Sequence, residues 1–153
     1  MILAIDPGPE QSAYVEWNPK TQMFHGKGIR DNVKLLETIE TLTKTSPIDY
    51  HLVIEMVACY GMPVGKEIFE TVLWTGQFKH AWGTNPFSFA YRKDIKIHLC
   101  NSMKAKDSNI RQALIDRFGA PGVKKNPGKL YGVSKDIWSA VAIAVYYGDI
   151  HGE

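Results

Sequence analysis

The sequence contains few of the features that mark secreted, disulfide-bonded or membrane-spanning proteins. It has only two cysteines in 153 residues, Cys59 and Cys100, which excludes a disulfide scaffold and a cysteine-rich metal site. No apolar run approaches the roughly 20 residues that a membrane-spanning helix needs. Residues 1–6 lack the basic start of a signal peptide and already contain an acid. We therefore expect a single cytoplasmic domain over residues 1–153, without a membrane partner.

Charge is nearly balanced overall but unevenly distributed. The net charge is +2, yet residues 92–135 contain eleven basic and three acidic side chains, a balance of +8, and the rest of the chain has a balance of −6. Such an asymmetry indicates a polyanionic partner, nucleic acid above all. A solvated surface with scattered lysines would give the same counts, so charge alone leaves both explanations open.

The first 30 residues predict three strands joined by tight turns. Residues 2–5 form a short apolar run, the pattern of a buried central strand, and Asp6-Pro7-Gly8 is a turn signal. Two further strands are predicted over residues 12–17 and 23–29, with a turn at Asn18-Pro19-Lys20 between them. This pattern predicts that the first three strands are antiparallel.

Helices and strands alternate in the rest of the chain, which predicts an α/β fold. We expect a mixed five-stranded sheet with helices on both faces. A first helix is predicted from Asp31 or Asn32 to Ser46-Pro47, followed by a strand over 51–54, a helix over 66–82 and a strand over 87–91. A short helix over 93–100 precedes a helix that begins at Asp107 or Ser108 and ends at Phe118, closed by Gly119. After a loop over 120–133, the last helix begins near Ser134, with Gly148 as its C-terminal cap.

Three carboxylates stand where such a fold places its functional residues. Asp6 ends the first strand, Glu55 ends the fourth, and Asp136 lies in the first turn of the last helix. If strands one and four are parallel neighbours, the first two acids share an edge of the sheet, and a helix across that edge would add the third. Clustered carboxylates suit Mg²⁺ or Mn²⁺. Two such ions about 4 Å apart can activate water and stabilise the leaving oxygen in phosphodiester cleavage.

Each acid also has a purely structural explanation. Asp6 before a Pro-Gly pair could brace a turn, Glu55 could sit at an exposed strand end, and Asp136 could complement the helix dipole. The three positions together are far more specific than any one of them, which favours the metal-site interpretation.

Three motifs and the basic segment resemble one known family. The motifs are residues 2–8 (ILAIDPG), 53–55 (VIE) and 136–144 (DIWSAVAIA). The basic segment contributes residues 91–96 (YRKDIK) and 105–110 (AKDSNI). Together they resemble the RuvC family of Holliday junction resolvases, most closely its short phage-encoded members. The similarity covers nearly the whole chain at low identity.

The resemblance implies a ribonuclease H-like fold and a metal-dependent endonuclease that resolves Holliday junctions by paired nicking. The three carboxylates would hold Mg²⁺ or Mn²⁺, two ions per active site, and Ser139 stands where the family has its last acidic or histidine ligand. Because Ser139 lies three residues after Asp136, it shares that helix face, but a hydroxyl is a weaker ligand than a carboxylate. Asp107 and Asp149 are the alternative ligands, although Asp107 is better explained as a helix N-cap.

The resemblance also implies contacts with DNA. Lys96 matches the first of two functional lysines of the family, and Lys106 is one position from the second, so both would assist cleavage at the scissile phosphate. Tyr60 follows the second acid and would stack on an unpaired base, unless it packs on the protein's own surface. The remaining basic residues that would hold the DNA arms are Lys104, Arg111, Lys124, Lys125 and Lys129.

Two symmetric nicks require two active sites, so the resemblance implies a homodimer. The helix over 67–80, with Phe69, Leu73 and Trp74, could supply the dimer face. Three other functions stay open. They are a flap- or fork-cutting nuclease with the same site, a branched-DNA-binding module that has lost catalysis, and a sugar-kinase or actin-like protein, for which the chain is too short and lacks a second phosphate loop. No organic cofactor is expected.

Overall fold

The central sheet has five strands in the computed structural model, which describes residues 1–45 and 49–152. They are β1 (Ile2–Asp6), β2 (Gln11–Asn18), β3 (Met23–Asp31), β4 (His51–Glu55) and β5 (Phe87–Ala90). Their order across the sheet is β3-β2-β1-β4-β5. β2 is antiparallel to both β1 and β3, whereas β4 is parallel to both β1 and β5. The predicted mixed five-stranded sheet is therefore confirmed, and its antiparallel part is β3-β2-β1.

Helices cover both faces of this sheet. In the described ranges, α1 (Asn32–Thr45) and α2 (Lys66–Trp82) lie on one face, and α3 (Arg92–Cys100), α4 (Asp107–Phe118) and α5 (Ile137–His151) lie on the other. Because side chains alternate along a strand, Leu3 and Ile5 pack with α1 and α2, while Ile2 and Ala4 pack with α5. Helices on both faces were predicted and are confirmed. Among the residues described, none of the helices could span a bilayer, since none is both long and apolar enough.

The turn that follows β1 is fixed by buried polar side chains. The Gly8 backbone N–H donates to Ser12 Oγ (3.1 Å), and Ser12 Oγ donates to Asn32 Oδ1 (2.6 Å). Asn32 Nδ2 closes the network by donating to the carbonyl oxygen of Gly8 (2.9 Å). A Cβ on Gly8 would lie 2.4 Å from the carbonyl oxygen of Gln11, which explains the glycine. The network therefore holds the backbone just after Asp6.

The start of α1 distinguishes between the two predicted caps. Asp31 Oδ1 accepts the backbone N–H of Val33 (2.9 Å), so Asp31 is the capping residue. The side chain of Asn32 is instead used in the turn after β1. The predicted end of this helix at Ser46-Pro47 lies outside the described residues.

α5 crosses the sheet closely, and this overturns one prediction. Gly148 was predicted to cap the helix, but it lies inside α5, which continues to His151. A Cβ on Gly148 would lie 2.3 Å from a ring carbon of Trp17. Packing against the sheet, and not helix termination, therefore explains this glycine. The helix begins at Ile137 and not near Ser134 as predicted.

Residues 120–133, predicted to form a loop, contain a short β-hairpin. β6 (Gly122–Val123) and β7 (Asn126–Pro127) pair antiparallel, with Lys124 and Lys125 between them at the turn. Gly122 has a φ of 76°, and a Cβ there would lie 2.4 Å from the carbonyl oxygen of Asn126. Strands of two residues are too short to show an alternating pattern, so the sequence does not reveal the hairpin.

Candidate active site

Asp6 and Glu55 lie side by side at the carboxyl edge of the sheet. β1 and β4 are parallel with Ile5 opposite Ile54, so the next residue of each strand is an acid. α5 begins at the same edge, and the carboxylate of its N-cap residue, Asp136, makes no capping hydrogen bond. Burial, then the charges of Glu55 and Asp136, raise the pKa of Asp6 from 3.8 to about 7. The structure thus places the three predicted carboxylates near enough to one another at this edge for their charges to interact.

The carboxylate of Glu55 is largely buried, and neighbouring positive charges balance its negative charge only in part. Among the described residues, no group forms a hydrogen bond with its Oε2 atom. Arg92 Nη1 lies 3.6 Å from that atom, too far for a hydrogen bond. Burial raises the pKa of Glu55, while the charges of Arg92 and Lys96 oppose the rise. An unpaired buried carboxylate oxygen is unfavourable, so it marks a position that a cation would stabilise.

Arg92 is a site residue that the sequence does not predict. It is the first residue of α3, just beyond β5, and therefore lies at the same edge of the sheet as the acids. Its Nη1 donates to Ser139 Oγ (3.2 Å), and its Nη2 donates to Asp107 Oδ1 (2.6 Å). The sequence feature that could have indicated Arg92 is its place as a basic residue just after β5, which is parallel to β4.

Ser139 lies one helical turn after Asp136 and faces the same site. It lies close enough to the Asp6 carboxyl to oppose the rise of the Asp6 pKa. Its oxygen also accepts the hydrogen bond from Arg92. Ser139 therefore connects the buried acid to the guanidinium.

The potential donors at this edge are carboxylate oxygens, the ligand type that a hard divalent cation prefers. Within residues 1–45 and 49–152, no three Asp, Glu, His or Cys side chains form a group that could already hold a metal ion, and Arg92 lies between Glu55 and Ser139. Asp6 and Glu55 are nevertheless half-buried while Asp136 is exposed, one oxygen of Glu55 is unpaired, and the charges of Glu55 and Asp136 raise the pKa of Asp6. Mg²⁺ and Mn²⁺ prefer such oxygens and would relieve this repulsion.

A cationic cavity adjoins the carboxylates. Its volume is about 270 Å³, and it is lined by Tyr60, Arg92, Lys93, Lys96 and Met103. Tyr60 is 66% exposed, so it does not pack on the protein's own surface. The structure therefore brings two predicted DNA-binding residues, Tyr60 and Lys96, to one cavity. It adds Lys93, for which the sequence predicts no role.

Comparison with known proteins identifies the fold. By sequence, the chain matches no protein-family model and no curated protein. Thermus thermophilus RuvC in complex with a Holliday junction substrate matches with a TM-score of 0.71 at 12% identity, over 96% of this chain and 92% of that chain. The chain has the RuvC fold. A second Thermus thermophilus RuvC structure matches with a TM-score of 0.63 at 16% identity, over 97% and 95% of the two chains. The Fowlpox virus resolvase, in complex with its Holliday junction DNA, gives 0.47 at 12% identity, over 99% of each chain.

The two alternative acids have different positions on this RuvC fold. Asp107 is the first residue of α4 and is 79% exposed, with its carboxylate on Arg92. The predicted N-cap role of Asp107 is wrong, because Lys106 occupies that position, where Asn109 Oδ1 accepts its backbone N–H (2.8 Å). Asp149 is 13 residues beyond Asp136, about 20 Å along α5.

Asp149 is engaged in contacts of its own at that far end of α5. It accepts hydrogen bonds from His98 (2.7 Å) and Arg117 (2.6 Å). Burial would raise the pKa of Asp149, but these two partners bring it below 3.8. Asp149 therefore stabilises the packing of α3, α4 and α5 and does not join the carboxylates.

The other predicted DNA-binding residues are exposed around the RuvC core. The guanidinium of Arg111 makes a cation–π contact with Trp138, with its central carbon 5.3 Å from the centroid of the ring. Lys106 is the N-cap residue of α4 and precedes Asp107, which contacts Arg92. Lys124 and Lys125 occupy the hairpin turn, and Lys104 and Lys129 are also exposed. None of these lines the cavity described above.

Proposed function

We propose that this protein is a metal-dependent endonuclease that resolves Holliday junctions and related branched DNA. The observation that carries the proposal is the meeting of Asp6, Glu55 and Asp136 at one edge of a RuvC fold, with a buried, unpaired oxygen on Glu55. RuvC of Thermus thermophilus forms a complex with a Holliday junction substrate, which supports a branched DNA substrate for this chain.

The three carboxylates would hold Mg²⁺ or Mn²⁺. Such an ion lowers the pKa of water and stabilises charge on a phosphate. Hydrolysis joins the oxygen of water to phosphorus and breaks one P–O bond to deoxyribose, whose oxygen takes up a proton. Asp6, Glu55 and Asp136 would bind and orient the cation for this reaction. The number of ions, two in the expectation from sequence, stays a prediction.

The residues of the cationic cavity would bind the DNA strand beside the carboxylates. Lys96 and Lys106 would contact phosphates near the scissile bond, where a fixed positive charge stabilises charge that develops during cleavage. The exposed ring of Tyr60 would stack on an unpaired base, which is worth roughly 1–3 kcal/mol. Lys124 and Lys125 on the hairpin would hold a DNA arm.

Paired nicking would require a homodimer, and α2 offers an apolar face for it. Phe69 is 64% exposed and Leu73 is 65% exposed, with Val72 between them at 41%. Trp74, predicted to share this face, is half-buried, with its ring centroid 5.9 Å from that of Phe78. The proposed dimer face therefore consists of Phe69, Val72 and Leu73.

The decisive experiment is cleavage of a labelled four-way junction, with duplex, flap and fork controls, in Mg²⁺, Mn²⁺ or EDTA. We expect paired nicks in opposing strands that depend on the metal. Asp6→Asn should abolish cleavage but keep junction binding, because loss of an anion does not weaken contacts with phosphate. Asp116→Asn, an exposed acid on α4 away from the site, is the matched control and should cleave normally.

The other outcomes each replace the proposal. Cleavage of flaps or forks alone would make the protein a flap or fork nuclease with the same site. Junction binding without cleavage in either metal would make it a branched-DNA-binding module.

A further inference from the structure

A second cavity lined by lysines lies at the opposite edge of the sheet from the cationic cavity. Its volume is about 250 Å³, and its lining includes Lys27 on β3 and both Lys129 and Tyr131, which follow the hairpin. None of its lining residues is acidic. β3 and β5 are the two edge strands, with β1 and β4 between them. This β3 cavity and the cationic cavity therefore lie on either side of the carboxylates that end β1 and β4.

The strand register places Lys27 close to the carboxylate site. Lys27 pairs with Val15 on β2, and Val15 pairs with Ala4 on β1, two residues before Asp6. With strands about 4.8 Å apart and a rise of about 3.4 Å per residue, the Cα atoms of Lys27 and Asp6 are roughly 12 Å apart. Directly paired residues share a face of the sheet. Lys27 therefore lies on the same face as Ala4, which is the face that α5 covers.

The ammonium group of Lys27 has no carboxylate partner in the part of the chain that the structure describes. The side chain is half-buried, yet it forms no salt bridge with any acid of residues 1–45 and 49–152. Its Cε atom passes beside Gly132, where an added Cβ would lie 3.4 Å away. A partly desolvated cation is stabilised by an anion, so the position suits a phosphate.

Lys129 and Tyr131 are held in place by the residues around them. Leu130, which lies between them, is fully buried, and Val133 also packs in the core. The backbone N–H of Tyr131 donates to the carbonyl oxygen of Gly128 (3.1 Å), and that of Val133 donates to Leu130 (3.1 Å). Because this segment is anchored by turns and by burial, Lys129 and Tyr131, both exposed, have a constrained position at the cavity.

The same segment leads directly to the carboxylate site. Asp136 follows Tyr131 by five residues, so their Cα atoms are at most about 17 Å apart. Lys27 lies within that range of Asp6. Since duplex DNA advances about 3.4 Å per base pair, a span of roughly 12–17 Å corresponds to about four or five base pairs. A DNA arm whose scissile phosphate lies at the carboxylates therefore reaches the β3 cavity.

We propose that the β3 cavity binds the phosphate backbone of a duplex DNA arm, about four or five base pairs from the cleaved bond. The inference rests on the proposed nuclease function and adds a second contact with the same substrate. Lys27 and Lys129 supply positive charge without acidic neighbours, and the exposed side chains of Met23 and Tyr131 pack on deoxyribose. Contacts with the backbone carry no sequence information, so this cavity binds arms of any sequence.

The first test measures junction binding in EDTA, where no cleavage occurs. Lys27→Met/Lys129→Met should bind about 10–30-fold more weakly than wild type at about 150 mM salt, and the slope of log K against log salt should decrease by about two. Methionine retains the half-buried stem of Lys27, and thermal unfolding checks that the variant folds. Lys20→Met/Lys44→Met, which changes two exposed lysines outside the cavity, is the control and should bind as wild type does. Equal affinities for the two double variants would overturn the proposal.

The second test locates the contact on the DNA. Ethylation of phosphates about four or five base pairs from the nick should interfere with binding by the wild type, and this interference should be lost in Lys27→Met/Lys129→Met. Identical interference patterns would overturn the proposal. Loss of polyglutamate binding without loss of DNA binding would also overturn it, and would assign the cavity to an acidic protein segment.

Failure of the nuclease function would look different from failure of the cavity. A wild type whose junction binding depends on Lys27 and Lys129, but which cuts no branched DNA in Mg²⁺ or Mn²⁺, would refute the nuclease function and leave the cavity as a DNA contact. A wild type that cuts junctions, but whose binding does not depend on these lysines, would refute the cavity alone.

Discussion

The buried carboxyl of Asp6 couples folding to pH and, under the proposed function, to cation binding. Burial is the largest cause of its raised pKa, followed by the charges of Glu55 and Asp136. When the pKa of an acid is higher in the folded protein than in the unfolded chain, the free energy of unfolding decreases as pH rises from the unfolded to the folded pKa. Raising the pH therefore destabilises the metal-free protein, and it also frees Asp6 to bind a cation.

We predict that Asp6→Asn stabilises the metal-free protein at pH 8. Between about pH 4 and pH 7 the folded wild type retains a proton that the unfolded chain has lost, so its stability falls as pH rises. At about 1.4 kcal/mol per pKa unit the penalty is on the order of a few kcal/mol, which Asn avoids. Thermal unfolding in EDTA should show a Tm for Asp6→Asn that is about 5–10 °C above wild type at pH 8 and a smaller difference at pH 4. Equal Tm values for Asp6→Asn and the wild type at pH 8 would contradict a destabilising charge on Asp6.

The sequence predicts the acids of the site but not their partners. Asp6 and Glu55 are recognisable because each ends an apolar strand, where position along the chain already implies position at a sheet edge. Arg92 and Asp107 are 15 residues apart on different helices, and only the packing of α3 against α4 makes them partners. A side chain that acts through a long-range contact leaves no local pattern in the sequence.

At the scale of elements, the contact between α5 and β2 determines how closely that helix approaches the sheet. Gly148 lies against Trp17, which is fully buried and stacks with Phe24 at a centroid distance of 6.1 Å. The aromatic cluster cannot move away easily because interiors are closely packed. Any side chain at Gly148 must therefore push the helix outward, and Asp136 is at the start of the same helix.

We predict that Gly148→Ala destabilises the protein by about 1–3 kcal/mol, the usual effect of overpacking a core. Gly76→Ala on α2 is the control, since a Cβ there meets no atom within 4 Å. That control should be neutral or stabilising by up to about 1 kcal/mol, because alanine favours the helix. Urea unfolding of both variants measures the difference. A wild-type midpoint for Gly148→Ala would show that the helix can shift at no cost.

Elements with strong periodicity were predictable, whereas those decided by tertiary contacts were not. β1, β4 and α2 are close to their predicted bounds because apolar runs and Gly or Pro boundaries define them. The predicted C-terminus of α5 was wrong, because a glycine can mark either a helix end or a close packing contact. The hairpin of β6 and β7 was missed, because its strands have only two residues each.

At the scale of the whole molecule, the hairpin lysines should contribute to the salt dependence of DNA binding. Each phosphate contact releases counterions, so the slope of log K against log salt falls by about one for each lysine removed. We predict a decrease of about two in the slope for Lys124→Ala/Lys125→Ala. Lys20→Ala/Lys44→Ala, which removes two exposed lysines elsewhere, is the control and should leave the slope unchanged. Junction binding measured from 50 to 300 mM salt gives the slope for each double variant. Equal slopes for the two double variants would exclude a contact between the hairpin lysines and DNA.

The apolar face of α2 should control the oligomeric state. We predict that Leu73→Glu converts the proposed dimer to a monomer, because an isologous interface would bury the new charge twice. Val33→Glu, which replaces an exposed aliphatic residue on α1, is the control and should stay dimeric. Sedimentation velocity at micromolar concentration measures the change, and paired nicks should give way to single nicks. A monomeric wild type would contradict the homodimer.

The position of β1 and β4 in the sheet also has a consequence for internal motion. Both strands are flanked by other strands, and residues 3–5 and 52–54 are almost completely buried. Their amides should exchange with solvent only when the whole domain unfolds, whereas those of residues 58–64 and of the hairpin, which are exposed, should exchange through local fluctuations. The acids are thus attached to the slowest-opening part of the protein, while the surfaces proposed to bind DNA arms can adjust. Branches of different shape could then be accommodated without disturbing the geometry at the cleaved bond.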